Sequence, residues 1–458
     1  MKIMLFAPSF ETPAHQAASY PLALAYLGAV LEKEGHSVKA FDYIHDDWGK
    51  VEEKVKHLLI SEKPQIVGVS SMTTNRTAAF KLAKLVKSIN PSIKVIFGGV
   101  HPTLMYEQIL KNFPVDFVVI GEGEETIREL VNAIESKANQ SKLKRIKGIA
   151  FKSGNEVIRT EIRPFLRDLD KLPMPKHSYF EERIKRDKTF YISCSRGCPY
   201  ACKFCSTSLH WGRIIRRRSV KSVIAEIKFL KKKYPFVEKV LFNDDEFLLD
   251  HDWIKDLCNS MIKEKFNLTW LAPGRIDSIS EDIMLPLKEA GCVGVSLGVE
   301  SGSPKLLEVI DKKISREQII RAFNICKKYN MPAGMFLMVG LPGETSKTIN
   351  ETIDLIKNTS FQKSVKYIGL PGLFQVYPGT QIYELAKKQG FITDEYWLSE
   401  KFAPFYTYEH SKAKLLFWSF KIVFFYCIYH GSLWDFFREE IRTHLKYDKL
   451  KRTFSRYF

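Results

Sequence analysis

The chain has few acids for its bases, no cysteine before Cys194 and no uninterrupted apolar run of membrane-spanning length. Lys and Arg number 70 against 52 Asp and Glu, a formal charge of +18 that favours anionic partners. Most of that excess is spread thinly. One dense run, Arg213, Arg216, Arg217 and Arg218, reads as a solvated basic face, and no nucleic-acid-binding signature accompanies it. No nucleic-acid partner is therefore expected. The absence of G-x-G-x-x-G excludes a dinucleotide fingerprint. Met1–Ala7 is followed by Pro8 and polar residues, so no apolar leader core is visible. Clustered thiols without such a leader fit a reducing compartment, and the expected location is cytoplasmic. Repeats and low-complexity segments are also missing.

What is present has a clear rhythm. A length of 458 residues suggests two to four domains at roughly 150 residues each. In residues 1–140, Lys2–Ala7, Ser37–Phe41, Pro64–Ser70, Ile93–Gly98 and Phe117–Ile120 read as apolar strands. Pro21–Lys33, Val51–Ile60, Thr77–Ile89 and a stretch from Glu124 read as the intervening helices. This is the pattern of a parallel sheet covered on both faces, a doubly wound, Rossmann-like α/β domain. Such domains bind ligands beyond the carboxyl ends of their strands. The loops at those ends hold Ser70, Met72 and Thr74, then Gly98, Gly99 and His101, then Gly121 and Glu122. Glycines let a backbone approach a ligand closely, and hydroxyls and helix-start amides suit phosphate and amide groups.

Residues 141–187 read as a basic linker with a small hairpin around Gly148–Val157. From 188 to 390 strands alternate with helices again, at Thr189–Ser193, Lys239–Phe242, Leu268–Leu271, Gly294–Leu297, Gly334–Val339 and Tyr367–Leu370. About six βα units indicate a partial (β/α)6 barrel of TIM type, with its active site at the C-terminal ends of the strands. Residues 391–458 form a small, helical, aromatic and basic region.

Cys198, Cys202 and Cys205 form C-x3-C-x2-C in the loop after the first barrel strand. A four-iron cluster wants four ligands, so three thiolates leave one iron without a protein ligand. An open metal position of that kind can bind a substrate. The competing reading recruits Cys194 as a fourth sulfur and closes the site around zinc or a complete cluster. Structural zinc sites, however, usually pair two Cys-x2-Cys knuckles some distance apart. Cys258, Cys292, Cys326 and Cys427 sit in apolar surroundings and read as small core residues.

The cysteine motif, with Phe204 before the last cysteine, resembles the radical S-adenosylmethionine (radical SAM) superfamily. The resemblance implies a 4Fe-4S cluster on Cys198, Cys202 and Cys205 whose open iron chelates SAM. It implies that an electron from the cluster cleaves SAM to a 5′-deoxyadenosyl radical. Tyr20-Pro21-Leu22-Ala23-Leu24-Ala25-Tyr26-Leu27, Gly98-Gly99-Val100-His101-Pro102 and Gly121-Glu122-Gly123-Glu124 resemble the cobalamin-binding domain of one large class in that superfamily. The D-x-H-x-x-G loop of the wider cobalamin family is missing, which implies cobalamin held without a histidine from that loop. His101, placed before a proline, fits pocket lining better than ligation.

The same resemblance assigns SAM contacts to successive strand ends. Glu246, in Asn243-Asp244-Asp245-Glu246-Phe247, stands where the amino group is met, and Arg275 where the carboxylate is met. Ser296 and Glu300 stand at the ribose and methionine contacts, Gly340 in the adenine loop, and Phe204 adds an apolar adenine contact.

The reading that results is a cobalamin-dependent radical SAM enzyme methylating an unactivated carbon of a lipid-like or secondary-metabolite small molecule. It implies an external reductant such as flavodoxin or ferredoxin. Ring formation, rearrangement or oxygen insertion with the same cofactors is the enzymatic alternative, and a cobalamin or redox sensor the non-enzymatic one. A tRNA methylthiotransferase is disfavoured because no cysteines precede Cys194. In residues 412–430 the run Leu415–Tyr429 is intensely apolar and aromatic, carries Lys421, and is flanked by Lys412 and Lys414 and a basic tail. It is shorter than the roughly 20 residues of a spanning helix. Two readings stand: a buried helix that closes the barrel, or an interfacial helix that brings the protein to a membrane surface.

Overall fold

Ile3 to Ala7 are buried without interruption, as a strand covered on both faces requires. In a computed structural model, which describes residues 1–10, 19–359 and 371–430, this strand is β1 (Lys2–Ala7). It is followed by α1 (Leu22–Lys33), β2 (Ser37–Asp42), α2 (Trp48–Glu62), β3 (Ile66–Ser70), α3 (Arg76–Ile89), β4 (Lys94–Gly98), α4 (Val100–Asn112), β5 (Phe117–Val119) and α5 (Glu124–Glu135). The five strands are parallel in the order β2-β1-β3-β4-β5. The direction of winding reverses between β1 and β3, which opens a crevice at their carboxyl ends. After the short α6 (Gln140–Leu143), the expected hairpin forms as β6 (Ile149–Ser153) and β7 (Glu156–Arg159). It pairs antiparallel with β5 and so extends the sheet to seven strands.

Contact density divides the chain into two units. The first comprises Met1–Pro273, Glu289–Gly291 and Gln375–Pro404; the second comprises Gly274–Lys288, Cys292–Phe374 and the chain from Phe405. The first unit thus holds the doubly wound sheet and the opening strands of the second alternating region. After α7 (Glu181–Asp187) the fully buried β8 (Thr189–Ile192) leads into β9 (Ser195–Arg196), α8 (Thr207–Trp211), β10 (Arg216–Arg217) and α9 (Val220–Lys233). The chain returns as β11 (Lys239–Phe242), parallel to β8. Ser219 caps α9 by accepting from the Ser222 amide, and Asp250 caps α10 (His251–Lys263) by accepting from Trp253.

A buried polar relay ties this region to the first sheet. The Tyr20 hydroxyl lies 2.6 Å from His177 Nδ1, and His177 Nε2 lies 2.8 Å from Glu226 Oε1. Arg218 donates to the other Glu226 oxygen and, at 3.1 Å, to the carbonyl of Ser193 at the end of β8. The relay joins the approach to α1, the linker, α9 and the start of the cysteine loop. Its members satisfy one another, which is the condition for carrying such groups into a core.

The second unit begins within β12 (Trp270–Arg275) and continues through α11 (Glu281–Glu289), β13 (Cys292–Glu300), α12 (Pro304–Val309), α13 (Arg316–Lys328), β14 (Ala333–Val339), α14 (Ser346–Thr359) and β15 (Gly372–Leu373). β13, β14 and β15 pair in parallel, with a bulge between Gly298 and Glu300. Helix α15 (Gln381–Lys388) belongs to the first unit and α16 (Lys412–His430) to the second. The strand expected at 367–370 and the basic tail beyond 430 lie outside the described residues.

Helix α16 is buried along one side and exposed along another. Leu415, Trp418, Ile422, Val423, Tyr426 and Cys427 are buried, and the helix packs on α14. Yet Leu416, Phe417, Phe420, Phe424 and Ile428 are exposed, Phe417 by 62% and Phe420 by 60%. Lys421 turns its ammonium to Asn350 at 2.7 Å. Among the described residues no helix is long and apolar enough to cross a membrane.

At the end of β13 the Gly302 amide donates to Thr352 Oγ1 of α14 at 3.0 Å. A methyl group on Gly302 would meet the Thr352 Cα at 2.5 Å, and a backbone cannot swing aside as a side chain can. Gly302→Ala is expected to cost about 2 kcal/mol, read as a lower urea midpoint at unchanged slope. An unchanged midpoint would show that strand and helix are not packed this closely.

Candidate functional site

The cysteine loop is shaped by what flanks it. Gly197 has φ +92°, and a Cβ there would lie 2.1 Å from the Ile214 carbonyl oxygen, so only glycine fits before Cys198. Cys198, Cys202 and Cys205 are half-buried. The Cys205 amide donates to the Cys202 carbonyl at 3.0 Å, and the Thr207 amide lies 3.5 Å from Cys205 Sγ, aimed to stabilise a thiolate. Burial pushes the Cys198 thiol up to about 11, so a cation is needed to hold it ionised. Among the described residues no three His, Cys, Asp or Glu side chains gather at one metal position. A four-iron cluster takes its thiolates on separate irons, so the loop's donor set still suits it. Cys194, the candidate fourth sulfur, is fully buried, with its thiol pushed far up by burial. Cys258, Cys292, Cys326 and Cys427 are buried as core residues.

Beside this loop, within the first unit, lies a cavity of about 410 Å³. Its apolar lining comes from the first sheet and α1, including Leu5, Leu22, Leu27, Ile96, Phe97 and Val119. Ser70, Met72, Gly98, Gly99, Gly121 and Glu122 all line it, as the rule for strand ends predicts. Gly99 has φ +103° and lies tight against the Ser71 backbone, whereas a Cβ on Gly121 would meet nothing within 4 Å. Bare backbone therefore faces open space there, as a large planar cofactor demands. Thr74 and His101 do not line the cavity. Thr74 is buried in a turn. His101 is fully buried, 3.2 Å from Thr73 Oγ1 and packed edge-on against Trp397. Burial, with Arg76 adding to it, holds its imidazole down at about 3.

The rest of the lining comes from the cysteine-loop region: Ser193, Ser195, Arg196, His210, Trp211, Asn243, Asp244 and Asp245. Here the basic run departs from its expected solvated state. Arg216 and Arg218 are buried, at 6% and 7% exposure, because each has a buried acid to meet. Arg216 Nη1 lies 2.8 Å from Glu122 Oε2. Arg196 lies 2.9 Å from Glu122 Oε1 and 2.6 Å from Glu124 Oε1. Glu122 also accepts from the Leu166 amide at 2.7 Å. Arg196 is flanked by the rings of Tyr26 and Trp211, and Arg216 lies over Phe165. Burial alone would raise the Glu124 carboxyl, but the Arg196 guanidinium overrides it and holds the group low.

Asp244 accepts from the Cys194 amide and from Ser195 Oγ, and burial lifts its carboxyl to about 6. Asp245 accepts from Thr207 at 3.1 Å. Glu246 is buried, and its carbonyl accepts from Arg217 at 3.2 Å. Phe204 is half-buried in the loop.

The remaining candidates belong to the second unit. Arg275 closes its fork on Asp277, at 2.9 and 3.1 Å, and donates to the Lys312 carbonyl at 2.7 Å. Glu300 sits at φ +69° and accepts from Lys312 Nζ at 2.7 Å, both residues being buried. Ser296 is half-buried in β13. Gly340, after β14, donates its amide to the buried Glu344, whose carboxyl burial raises to about 7. Lys312, Arg196, Arg216 and Glu124 escaped sequence reasoning as site residues, since their partners lie 12 to 94 residues away, and His210 and Trp211 carried no signal in the sequence.

Comparison with known proteins matches these two regions in turn. A family model of the B12 binding domain covers residues 16–131, and one of the radical SAM superfamily covers 192–356. An uncharacterized methyltransferase of Pyrococcus horikoshii is 32% identical over 87% of this chain and 85% of its own. The anaerobic magnesium-protoporphyrin IX monomethyl ester cyclase of Rubrivivax gelatinosus is 30% identical over 78% of this chain, which spans 66% of the cyclase's length. The radical SAM methyltransferase TsrM from Kitasatospora setae shares the fold, with a TM-score of 0.69 at 20% identity over 85% of this chain and 76% of that one. The chain belongs to the cobalamin-binding radical SAM family. It is an enzyme whose cofactors are a 4Fe-4S cluster, SAM and cobalamin.

The buried ion network makes a quantitative test. Glu122→Gln leaves Arg216 without a carboxylate in a site nearly closed to water. The expected cost is about 3–5 kcal/mol in guanidinium unfolding. Removing the stranded cation as well, in Glu122→Gln with Arg216→Met, should restore part of that loss. A single variant as stable as the parent would show the network to be energetically idle.

Proposed function

We propose that this enzyme transfers a methyl group to an unactivated carbon of a small, lipid-like molecule. The observation that carries the reading is the cavity lined jointly by the strand-end loops of the first sheet and by residues beside the three cysteines. When bound, the cluster with SAM supplies a hydrogen-abstracting radical and cobalamin supplies the methyl group. In this reading Cys198, Cys202 and Cys205 hold the cluster. Ser70, Met72, Gly98, Gly99, Gly121 and Glu122 hold cobalamin through backbone and short side chains. Arg196, kept in place by Glu122 and Glu124, closes the wall between the loops and keeps water out.

Within the first unit we assign SAM contacts to Phe204 and Glu246. A small acidic one-electron donor such as flavodoxin or ferredoxin suits a chain of charge +18. The relatives leave a second reading, ring formation with the same cofactors, since a cyclase stands among them.

Two measurements test this assignment. With SAM labelled at its methyl group, a low-potential reductant and anaerobically reconstituted protein, the label is expected on the bound cobalamin; a reduced cobalamin that stays unlabelled favours cyclisation. Cys202→Ala should lose SAM cleavage and most of its iron, and a variant that still cleaves SAM would refute the ligand assignment.

The lipid-like substrate class rests on α16. Leu416, Phe420 and Phe424 recur at intervals of four residues and stay exposed, with Phe417 and Ile428 beside them. Lys412 and Lys414 precede this stripe, as on helices that lie in a membrane interface. The protein should sediment with anionic vesicles, and Phe417→Glu with Phe420→Glu should weaken that binding at least about tenfold. Parent protein that ignores such vesicles would remove both the surface contact and the argument for a lipid.

A further inference from the structure

Among the described residues lining the cavity, His210 alone has a side-chain atom sealed from solvent and without a hydrogen-bond partner, its Nδ1. Native structures rarely leave such a group unmet, and the usual explanation is a ligand or water that belongs there. His210 stands on α8, with Trp211 edge-on at 4.3 Å between ring centroids. Burial, helped by Arg196, holds its imidazole down at about 4 against the opposing pull of Glu122 and Glu124. The ring is therefore neutral at ordinary pH, with one nitrogen a donor and the other an acceptor. The neighbouring acids are committed elsewhere: Glu122 to Arg196, Arg216 and Leu166, and Glu124 to Arg196.

We propose that His210 is a positioning residue for cobalamin, its Nδ1 accepting a hydrogen bond from a carboxamide at the edge of the corrin. The inference rests on the reading that this cavity holds cobalamin. Acetamide and propionamide groups fringe the corrin, and their N–H bonds need acceptors when water is excluded. The apolar lining, such as Leu5, Ile96, Phe97 and Val119, suits the ring; the wall beside Arg196 suits its polar fringe. Ligation of cobalt by His210 is the competing arrangement.

The test uses full-length, anaerobically reconstituted protein titrated with hydroxocobalamin by equilibrium dialysis. His210→Phe keeps an aromatic ring against Trp211 and removes the acceptor. His210→Asn returns an acceptor oxygen near the place of Nδ1. The Phe variant should bind cobalamin roughly tenfold more weakly at unchanged iron content, and the Asn variant should recover most of the loss. If the Phe variant sheds its iron, His210→Ala carries the same expectation. The Co(II) electron paramagnetic resonance spectrum should be the same in all the proteins. Unchanged affinity without the imidazole overturns the proposal, as does a nitrogen splitting of Co(II) that disappears with it. Parent protein that takes up no cobalamin defeats the cofactor reading of the cavity itself, an outcome distinct from failure at His210.

Discussion

Four buried charges, Glu122, Glu124, Arg196 and Arg216, hold together the two loops on which the first unit's chemistry depends. The acids stand at the end of β5 and the start of α5; the bases stand on β9 and β10, on either side of the cysteine loop. Ions this deep repay their lost hydration to the extent that their lone pairs and protons are met. Here the Leu166 amide, the Leu166 carbonyl and three aromatic faces add to the salt bridges, and the buried Arg216 Nε is left without a hydrogen-bond partner among the described residues. An apolar contact would tolerate a sliding loop. A bidentate guanidinium does not, because its hydrogen bonds define orientation as well as distance. The network therefore sets the register of the cysteine loop against the glycine-rich strand ends, where radical chemistry needs cofactors at fixed positions.

The relay of Tyr20, His177, Glu226 and Arg218 does comparable work lower in the unit. Arg218 joins both functions: it neutralises Glu226 and binds the carbonyl of Ser193, one residue before Cys194. The basic run thus consists of residues with separate duties. Arg216 answers Glu122, Arg218 answers Glu226, and Arg217 stacks over Trp253 while donating to the Glu246 carbonyl. A reader of composition sees surface charge. The fold uses two of these cations as internal braces.

What the sequence discloses and what it conceals divide along a physical line. Apolar strands separated by helices force the doubly wound sheet, and the winding rule then locates the loops at Ser70, Gly98 and Gly121 on the cavity. Local pattern is sufficient for that. It is insufficient for His101, which lies in the first turn of α4 and meets Trp397, nearly 300 residues away. It also fails at Arg196 and His210, whose significance depends on acids and a cavity wall supplied by another part of the chain. Long-range partners cannot be read from spacing, so strand-end position leads to the backbone that lines the cavity but not to the neighbour a side chain such as His101 finds.

Arg275 shows the same limit from the other side. A lone arginine at a strand end is a natural anion binder on paper. In the second unit its fork is closed by Asp277 two residues on, and Nη2 also donates to the Lys312 carbonyl. That contact fixes the backbone of Lys312, whose ammonium meets Glu300 at 2.7 Å. Glu300 adopts a left-handed backbone that most side chains avoid, next to the bulge at Gly298. Such a conformation persists only where its surroundings enforce it, and it aims a carboxylate where a regular strand would not. Arg275 acts here as the brace, and Lys312 with Glu300 forms the buried ion pair that it steadies.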